Sequence, residues 1–337
     1  MQNIFTYRGL LLLFFLSVLI GVMFNSCSSV DYISYARPLN YNDHYRKNEF
    51  SLITYNIKAI YDKEEGQMNS LMKHINDEEY DFVVFQELFD ESMRDYVIEN
   101  ADTSKYTTVI SRVDYLSFPE FIFQDAGLYM MGRYPRVDLS DIEFHDDTKN
   151  SNGIIHMILD KEMSRTNDFL ANKSVMGALF ELNDTTRLFL FTTHVQALGE
   201  LDHKLYQFEE INGFMNSAVD SVIASGITGS SENLIVILVG DFNSDAYDES
   251  RLRSMMNKLN NPRDLHKAFN GNLQETTWRF QSGRRGRRFD YILAYDRVGE
   301  NILKKVGVKS IDAIDIKDKE GNSISDHRAL RTVLTIN

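Results

Sequence analysis

Five apolar runs along the chain end in residues that bind Mg²⁺ or handle phosphate esters. The runs are TYNIKAI (54–60), FVVFQELFD (82–90), FLFTTHVQA (189–197), IVILVGDFNSD (235–245) and SISDHRAL (323–330). Mg²⁺ takes hard oxygen ligands, usually one or two carboxylates together with waters and substrate phosphate. Histidine moves protons near neutral pH. Together these residue types predict metal-dependent cleavage of a phosphate ester.

The first two runs supply candidate metal ligands. Glu87 follows VVFQ and Asn56 follows LITY, so each is expected to leave the end of a strand and enter a crevice. A glutamate at the end of an apolar run is hard to explain as part of the core. Asp326, within SDH, is expected near the same ion. The predicted metal is Mg²⁺, with Mn²⁺ or Co²⁺ as alternatives, and its predicted ligands are Glu87, Asn56 and Asp326.

GDFNSD and the third run supply candidate groups for the water and the phosphate. Asp241 and Asn243 are two residues apart, so their side chains point to the same side of an extended segment. An aspartate there can hold or orient the nucleophilic water, and an asparagine can donate to a phosphoryl oxygen. His194, after FLFTT, is predicted to donate to the phosphate as negative charge builds up in the transition state.

SDH supplies the candidate general base. His327 is predicted to take a proton from the attacking water. Such a histidine needs a carboxylate at its other ring nitrogen, which fixes its tautomer and orientation. Asp290, in FDYIL, is the candidate for that role. Asp326 is poorly placed for it, because neighbours on a strand face opposite ways.

The elements that must position these residues alternate along the chain. LIVILVGDF is a continuous apolar run, typical of a strand buried on both faces. SVMGALFEL and TRLFLFTTHV alternate as paired strands, with NDTT (183–186) as their turn. The stretches 66–79 and 201–224 have helical spacing. The pattern predicts two mixed sheets packed together with helices outside, an α/β sandwich.

Composition and charge bound the function. The 337 residues are 43% hydrophobic and can bury a large core. A length prior gives about two domains, but any cut would divide the proposed site, so one catalytic domain is predicted over residues 49–337. The net charge of −13 repels a polyanion and speaks against non-specific nucleic-acid binding, although a local basic groove remains compatible with it.

The start of the chain is typical of a targeting segment. Residues 9–24 form an apolar run that is shorter than the roughly 20 residues of a spanning helix and fits a signal peptide. The sole cysteine, Cys27, follows in FNSCSS. This segment resembles bacterial lipoprotein signals, in which the cysteine becomes the acylated first residue. Two interpretations stay open for residues 1–27: a lipid anchor, or a plain signal peptide or signal anchor. Residues 28–48 are assigned to a tether.

Two features near the FDYIL strand have open interpretations. RRGRR (284–288) is either a solvated hairpin tip or a loop that touches an anionic lipid surface or the substrate phosphate. Trp278, the only tryptophan, is either core or an interfacial anchor.

The motifs TYNI, QE, TTH, GDFN, DY and SDH occur here in the order in which they occur in the endonuclease/exonuclease/phosphatase superfamily, which has the DNase I-like fold. The chain resembles this family over about residues 50–335. The resemblance implies a four-layer α/β sandwich, Mg²⁺ dependence and in-line attack by water on a phosphodiester or phosphomonoester. It implies the following roles: Asn56 and Glu87 at the metal, His194 on the phosphate, Asp241 and Asn243 beside the water and phosphate, and Asp290 orienting His327.

Within that family, QELFD, GRYPRV, ANKSV and HVQA resemble segments of the neutral sphingomyelinase branch. The chain departs from that branch at Ser174, where a glycine is expected after Lys173, and at Gly132, where serine is common. The sequence shows no counterpart of the aromatic membrane-inserting hairpin of the secreted bacterial enzymes, and TTWRFQSGRRGRR (276–288) occupies the stretch just before the DY strand.

The leading hypothesis is an exported Mg²⁺-dependent phosphodiesterase of the sphingomyelinase C type. It would act as a monomer on sphingomyelin or a related phospholipid at a membrane surface, with no stable nucleic-acid partner. It would be secreted, or anchored at the cell envelope through Cys27. The alternative is an exported nuclease or another phosphoesterase of the same fold. A binding protein on a degenerate catalytic fold is a third hypothesis, and the intact metal and base residues argue against it.

Overall fold

The structure is a computed structural model. The predicted signal segment with Cys27 lies outside the described residues, as do residues 284 and 285 of the basic cluster. The described residues are 28–34, 48–60, 63–102, 104–115, 124–145, 148–151, 153–161, 167–271, 274–278 and 286–337.

Two seven-stranded mixed sheets form the centre of the molecule. In spatial order the first sheet contains β1 (Ser28–Ser34), β4 (Thr108–Tyr115), β5 (Tyr129–Gly132), β3 (Phe82–Leu88), β2 (Glu49–Ala59), β16 (Ala329–Ile336) and β15 (Val306–Ile314). The second contains β11 (Arg263–Asp264), β12 (Asp290–Tyr295), β10 (Leu234–Asp241), β9 (Arg187–His194), β8 (Ser174–Glu181), β7 (Ile154–Ile158) and β6 (Lys149–Ser151). A separate two-stranded hairpin pairs β13 (Arg297–Val298) with β14 (Asn301–Ile302).

The outer faces of the sheets are covered by α1 (Glu65–Glu78), α2 (Glu91–Asn100), α3 (Leu201–Ala224) and α4 (Glu249–Lys258). The short α5 (Leu265–Asn270) instead contributes Leu265 to the core between the sheets. Asp90, Asp248 and Asp264 immediately precede α2, α4 and α5 as N-caps, and each side chain accepts a backbone N–H of the first turn, which satisfies an otherwise unpaired donor. Within the described residues, no helix is long and apolar enough to cross a bilayer.

Three apolar cores separate the four layers. One lies between the sheets, the second packs α1 and α2 on the first sheet, and the third packs α3 and α4 on the second sheet. In β10, Ile235 and Ile237 face the core between the sheets, whereas Val236 and Leu238 face the helices. This explains the continuous apolar run of that strand. The predicted four-layer α/β sandwich is confirmed.

The strands that carry the candidate residues end at one rim. β9 and β10 are parallel, with Asp241 opposite His194. β2 and β3 are also parallel, with Asn56 opposite Gln86. Gln86 Nε2 donates to Thr192 Oγ1 of the other sheet over 3.3 Å. The carboxyl ends of the two strand pairs therefore face each other.

The structure differs from the sequence analysis at the start of the tether. Residues 28–34 form β1, which pairs antiparallel with β4 at the edge of the first sheet. An edge strand is held by backbone hydrogen bonds along one side only. Its polar sequence, SSVDYIS, therefore gives little sign of it.

Within the basic cluster, Arg287 is exposed and both sequence interpretations stay open for it, whereas Arg288 fits neither of them. Arg288 is fully buried and donates to both carboxylate oxygens of Asp264, over 2.8 and 2.7 Å. Its guanidinium also lies 4.6 Å from the centre of the Tyr291 ring. A buried charge is tolerated where it is paired in this two-pronged way. Arg288 is therefore part of the support beneath Asp290, and neither a solvated tip nor a membrane contact.

His156, on β7, is expected to make the stability of the fold sensitive to acid. It is fully buried, and burial, followed by the charge of Lys149, lowers its pKa from 6.5 to about 3. Between these pH values the unfolded chain binds more protons than the folded chain, so stability falls as the pH falls. We expect wild type to lose about 2–3 kcal/mol more than His156→Gln between about pH 6.5 and about pH 4.5. Urea unfolding across this range measures the difference.

The matched control is His145→Gln, because His145 is exposed. Its stability curve should follow that of wild type. Parallel pH curves for wild type and His156→Gln would show that His156 does not titrate with unfolding.

Candidate metal and phosphate site

Three polar side chains from both sheets meet at the shared rim. Asn56 Nδ2, on β2, donates to Glu87 Oε1 on β3 over 2.8 Å and to Asp241 Oδ2 on β10 over 2.9 Å. Asn56 and Asp241 are buried, whereas the Glu87 side chain is 18% exposed. One amide thus holds two carboxylates close together, with the glutamate facing the opening.

The backbone around these residues is held in an uncommon conformation. Lys58, Glu87 and Asn243 have φ values of 50°, 56° and 46°, in the left-handed region that non-glycine residues seldom adopt. Gly240 precedes Asp241, and a Cβ atom there would lie 2.0 Å from the Thr193 carbonyl oxygen. Only glycine allows β9 and β10 to approach this closely. Such local strain is typical of functional sites.

His194, on β9, faces the same two carboxylates. Its Nε2 lies 3.5 Å from Glu87 Oε1 and 3.8 Å from Asp241 Oδ2, and neither ring nitrogen has a hydrogen-bond partner among the described residues. Burial, followed by the charges of Lys173 and His327, holds the pKa of His194 well below its usual value. A neutral ring carries one N–H, so His194 has a proton to donate to a ligand.

His327 and Asp290 form the pair that the sequence predicts. His327 Nδ1 lies 2.8 Å from Asp290 Oδ2, and its Nε2 lies 3.7 Å from Asp241 Oδ2. Burial opposes the charged ring, but Asp290 and Asp241 outweigh burial and raise the pKa of His327 to about 10. The Nδ1 contact orients the ring and leaves Nε2 toward the centre of the site.

The donor set fits a divalent cation. Glu87, His194 and Asp241 offer ligand atoms that all lie within 4.8 Å of one another, and Asp241, Asp290 and His327 form a second such group. Burial raises the pKa of Asp241 to about 7, an effect that His327 opposes and Asp290 reinforces. A cation would relieve the repulsion between these closely spaced carboxylates. Carboxylate and amide oxygens are ligands that suit Mg²⁺.

Asp326 and Asn243 lie differently from the other predicted residues. Asp326 Oδ2 accepts from Lys58 Nζ over 2.6 Å, and Asp326 belongs to neither carboxylate group. Asn243 N donates to Asp241 Oδ1 over 2.9 Å, and its side-chain amide donates to the Val195 carbonyl over 2.9 Å. Asn243 therefore lies beside Asp241, as predicted. The metal-ligand role of Asp326 and the phosphate contact of Asn243 stay predictions.

A cavity of about 280 Å³ opens from this site. Its polar lining includes Glu87, His194 and Lys173, and its apolar lining includes Phe89 and Leu170. The Lys173 ammonium is buried and lies 3.0 Å from Asp168 Oδ1, which also faces the cavity. The site thus joins a charged centre to an apolar wall.

Sequence reasoning missed Thr276, which joins the two halves of the His327–Asp290 pair. Its buried Oγ1 accepts from Phe289 N over 3.0 Å and from Asp290 N over 3.3 Å. Its carbonyl accepts from Arg328 N over 2.6 Å. The hydroxyl and the carbonyl of one residue therefore hold the backbone beside both partners. A threonine before a disconnected strand carries no periodic signal that would have revealed this.

Trp278 extends the same contact and is only half-buried, so it is not a core residue, and its role as an interfacial anchor stays a prediction. Its Nε1 donates to the Ser325 carbonyl over 3.1 Å, and its backbone N–H donates to the Asp326 carbonyl over 3.0 Å. The Arg328 guanidinium lies 4.4 Å from the centre of its ring. Trp278 is thus a half-buried support of the SDH segment.

We expect Thr276→Val to lower kcat about tenfold with KM unchanged, as loss of a residue that orients a catalytic group typically does. Valine keeps the shape but removes the hydroxyl oxygen that accepts from the Phe289 and Asp290 backbone N–H groups. Thr276→Ser should restore the rate. In a His327→Ala background, Thr276→Val should cause no further loss, since Thr276 acts through that pair. Steady-state kinetics of the four variants decides, and equal losses in both backgrounds would refute a positioning role.

Comparison with known proteins supports the fold. No protein-family model matches the chain, and no curated protein matches it by sequence. Solved structures do match. Sphingomyelinase C from Streptomyces griseocarneus is 16% identical, with a TM-score of 0.56, over 86% of this chain and 99% of that chain.

Two further solved structures are similar over most of their length. A doubly substituted beta toxin from Staphylococcus aureus with bound magnesium ions is 16% identical, with a TM-score of 0.58, over 86% of this chain and 100% of that chain. D. rerio TDP2 complexed with a single-strand DNA product is 16% identical, with a TM-score of 0.57, over 85% of this chain and 99% of that chain. At such identities the similarity establishes the fold.

Proposed function

We propose that this chain, whose fold is the DNase I-like fold of the endonuclease/exonuclease/phosphatase superfamily, is a metal-dependent phosphodiesterase. One observation carries the proposal. Glu87, Asp241 and His194 converge at one rim, and the His327–Asp290 pair lies against the same Asp241. This geometry supports a cation site, a base and a hydrogen-bond donor around one point, which is what water attack on a phosphate ester requires.

The hydrogen bonds of each side chain indicate its role in the proposed reaction. His327 donates from Nδ1 to Asp290, so its Nε2 is the atom that takes the proton of the attacking water. His194 donates its ring N–H to a phosphoryl oxygen as negative charge develops. Asn56 holds Glu87 and Asp241 at a fixed separation.

Glu87 and Asp241 would hold the Mg²⁺, and Asn56, which donates to both carboxylates, would position them. Asn56 Oδ1 accepts from Lys58 N over 3.1 Å, so the predicted ligand role of Asn56 stays a prediction. When bound, the cation would supply positive charge that polarises the phosphoryl oxygens, balances the charge of Asp241 and favours the neutral form of His327. The beta toxin with bound magnesium ions has the same fold, which supports this choice of metal.

The finer proposal is a sphingomyelinase C-type substrate, namely sphingomyelin or a related phospholipid. The segments QELFD, ANKSV and HVQA support it, as does the similarity in fold to sphingomyelinase C. The net charge of −13 weighs against a nucleic-acid substrate. The apolar wall of the cavity also suits an ester that carries hydrocarbon chains.

Release of phosphocholine from sphingomyelin vesicles tests this proposal. We expect release that requires Mg²⁺, stops with EDTA and is lost in His327→Ala. Nicking of plasmid DNA at low salt, measured with the same preparations, covers the nuclease alternative. Nicking without phosphocholine release would refute the lipid substrate and keep the phosphodiesterase. Absence of Mg²⁺-dependent cleavage of any phosphodiester would refute both.

We further propose that the protein is exported and acts as a monomer, either secreted or anchored at the cell envelope through Cys27. The apolar run at 9–24 and the cysteine that follows it support this. Cell fractionation of wild type and Cys27→Ser separates the two forms, because only a lipid anchor makes envelope retention depend on the thiol. Recovery in the cytoplasm would refute export. Sedimentation equilibrium at twice the chain mass would refute the monomer.

A further inference from the structure

Exposed leucines are concentrated beside the candidate site. Among the described residues, six large apolar side chains are exposed, and they are Leu170, Leu198, Leu201, Tyr206, Phe269 and Ile302. Leu170, Leu198 and Leu201, which we call the apolar rim, are 48%, 52% and 40% exposed. Single exposed apolar residues are ordinary, whereas a group of them marks an interaction surface.

The apolar rim is built on two segments that are tied together. Leu170 ends a short 3₁₀ turn (Asn167–Leu170), and Asp168 Oδ2 in that turn accepts from Ala197 N over 2.8 Å and from Leu198 N over 3.1 Å. Leu201 follows three residues later, as the first residue of α3. Because Asp168 ties the 3₁₀ turn to residues 197 and 198, it holds Leu170 and Leu198 in a fixed position relative to each other.

The apolar rim adjoins the candidate catalytic cavity through Leu170. Leu170 lines that cavity together with Phe89, and so do Glu87 and His194. A substrate whose phosphodiester lies at His194 therefore meets apolar surface on its way out of the site. A nucleic acid has no hydrocarbon to place there, whereas a phospholipid has.

Charge at the apolar rim selects the kind of lipid surface. Glu200 and Asp202 are exposed and flank Leu201. The neighbouring lysines are buried and do not reach this surface, since Lys204 Nζ donates inward to the Ala197 and Asn243 carbonyls and Lys173 pairs with Asp168. An acidic, leucine-bearing surface is repelled by anionic headgroups and is complementary to the outward quaternary ammonium groups of zwitterionic lipids.

We infer that the apolar rim, Leu170, Leu198 and Leu201, docks the protein on a zwitterionic lipid surface. The leucines enter the boundary between headgroups and acyl chains, as apolar side chains of interfacial proteins do. Glu200 and Asp202 stay at headgroup level. The inference rests on the proposed phospholipid substrate and adds the contact surface and the lipid charge that this surface accepts.

A local fluorescence experiment tests the inference in the full chain. Leu198→Cys and Ile302→Cys are made in a Cys27→Ser background and labelled with a polarity-sensitive dye. Ile302 is the matched control, because it is also about half exposed, at 50%, but lies away from the site. It follows the C-terminal end of β12, whereas Asp290 is at the N-terminal end of that strand. The backbone N–H of Lys304 donates to the Leu234 carbonyl at the start of β10, which is the end of β10 opposite to Asp241. EDTA is present, so the vesicles are not cleaved.

With phosphatidylcholine vesicles we expect a blue shift and a several-fold rise in emission at position 198, and no change at position 302. With phosphatidylglycerol vesicles the response at position 198 should be much weaker. Equal responses at both positions, no response at position 198, or a stronger response to phosphatidylglycerol would overturn the inference. The last result would point to contact through Arg287 and the basic cluster.

Turnover separates this inference from the proposed function. Leu198→Ser/Leu201→Ser should lower phosphocholine release from vesicles about tenfold and leave hydrolysis of a soluble phosphodiester unchanged, which also reports that the variant is folded. Equal vesicle turnover by this variant and wild type would overturn the docking role. A dye response without any phosphodiester cleavage would leave the docking surface intact and refute the proposed enzyme.

Discussion

Glu87→Gln is expected to lower Mg²⁺-dependent turnover by about 10²–10³-fold, because a bound cation contributes several kcal/mol of transition-state stabilisation. Glutamine keeps the size of the side chain and can still accept the 2.8 Å hydrogen bond from Asn56. The substitution therefore removes the negative charge with little change in shape. Turnover of a soluble phosphodiester, measured against Mg²⁺ concentration, gives both the loss in rate and the shift in metal requirement.

Glu91→Gln is the matched control for this substitution. Glu91 begins α2 a few residues beyond Glu87, and its side chain is 74% exposed beside Arg112. Its rate and metal dependence should equal those of wild type. If Glu87→Gln kept the wild-type rate at low Mg²⁺, Glu87 would not be a ligand.

His327→Ala is expected to lower kcat by about 10²–10⁴-fold, the usual cost of losing a general base. The ring is placed by the 2.8 Å contact with Asp290 and by the Ser325 hydroxyl, which accepts from His327 N over 3.1 Å. That backbone contact survives the substitution, so the variant should fold. Steady-state kinetics with a soluble phosphodiester measures the loss, and added imidazole should restore part of the rate.

Asp290→Asn should lower the rate in wild type and have no further effect in His327→Ala, since Asp290 acts through the ring. His203→Ala is the control and should leave the rate unchanged. His203 is a half-buried histidine on α3, and its Nε2 lies within hydrogen-bond distance of the Asp160 carbonyl. A His327→Ala rate within a few-fold of wild type would assign the base to another group.

Much of the fold could be predicted because the strands carry strong local signals. The apolar run of β10 is continuous because alternate residues pack into two different cores, one on each face of the sheet. The turn at 183–186 closes as expected, with Leu182 N donating to the Thr186 carbonyl. Polar residues at the ends of such strands have little choice of position, so Glu87, His194 and Asp241 could be placed at one rim from sequence.

The parts that escaped prediction depend on contacts between distant residues. Arg288 reads as a solvated charge until its partner Asp264, 24 residues away, is known. Asp326 pairs with Lys58, 268 residues away, and no local pattern reveals that pairing. Thr276 works through a hydroxyl and a carbonyl that leave no periodic trace. Long-range polar pairing is therefore the information that the sequence pattern lacked.

The most direct test of a cation-dependent centre at the rim is the rate at which purified wild-type protein cleaves a soluble phosphodiester in Mg²⁺ and in EDTA. We predict turnover in Mg²⁺ that disappears in EDTA and returns when Mg²⁺ is added back. Equal turnover in both solutions, or none in either, would contradict the assignment of Glu87, Asp241 and His327 to one catalytic site.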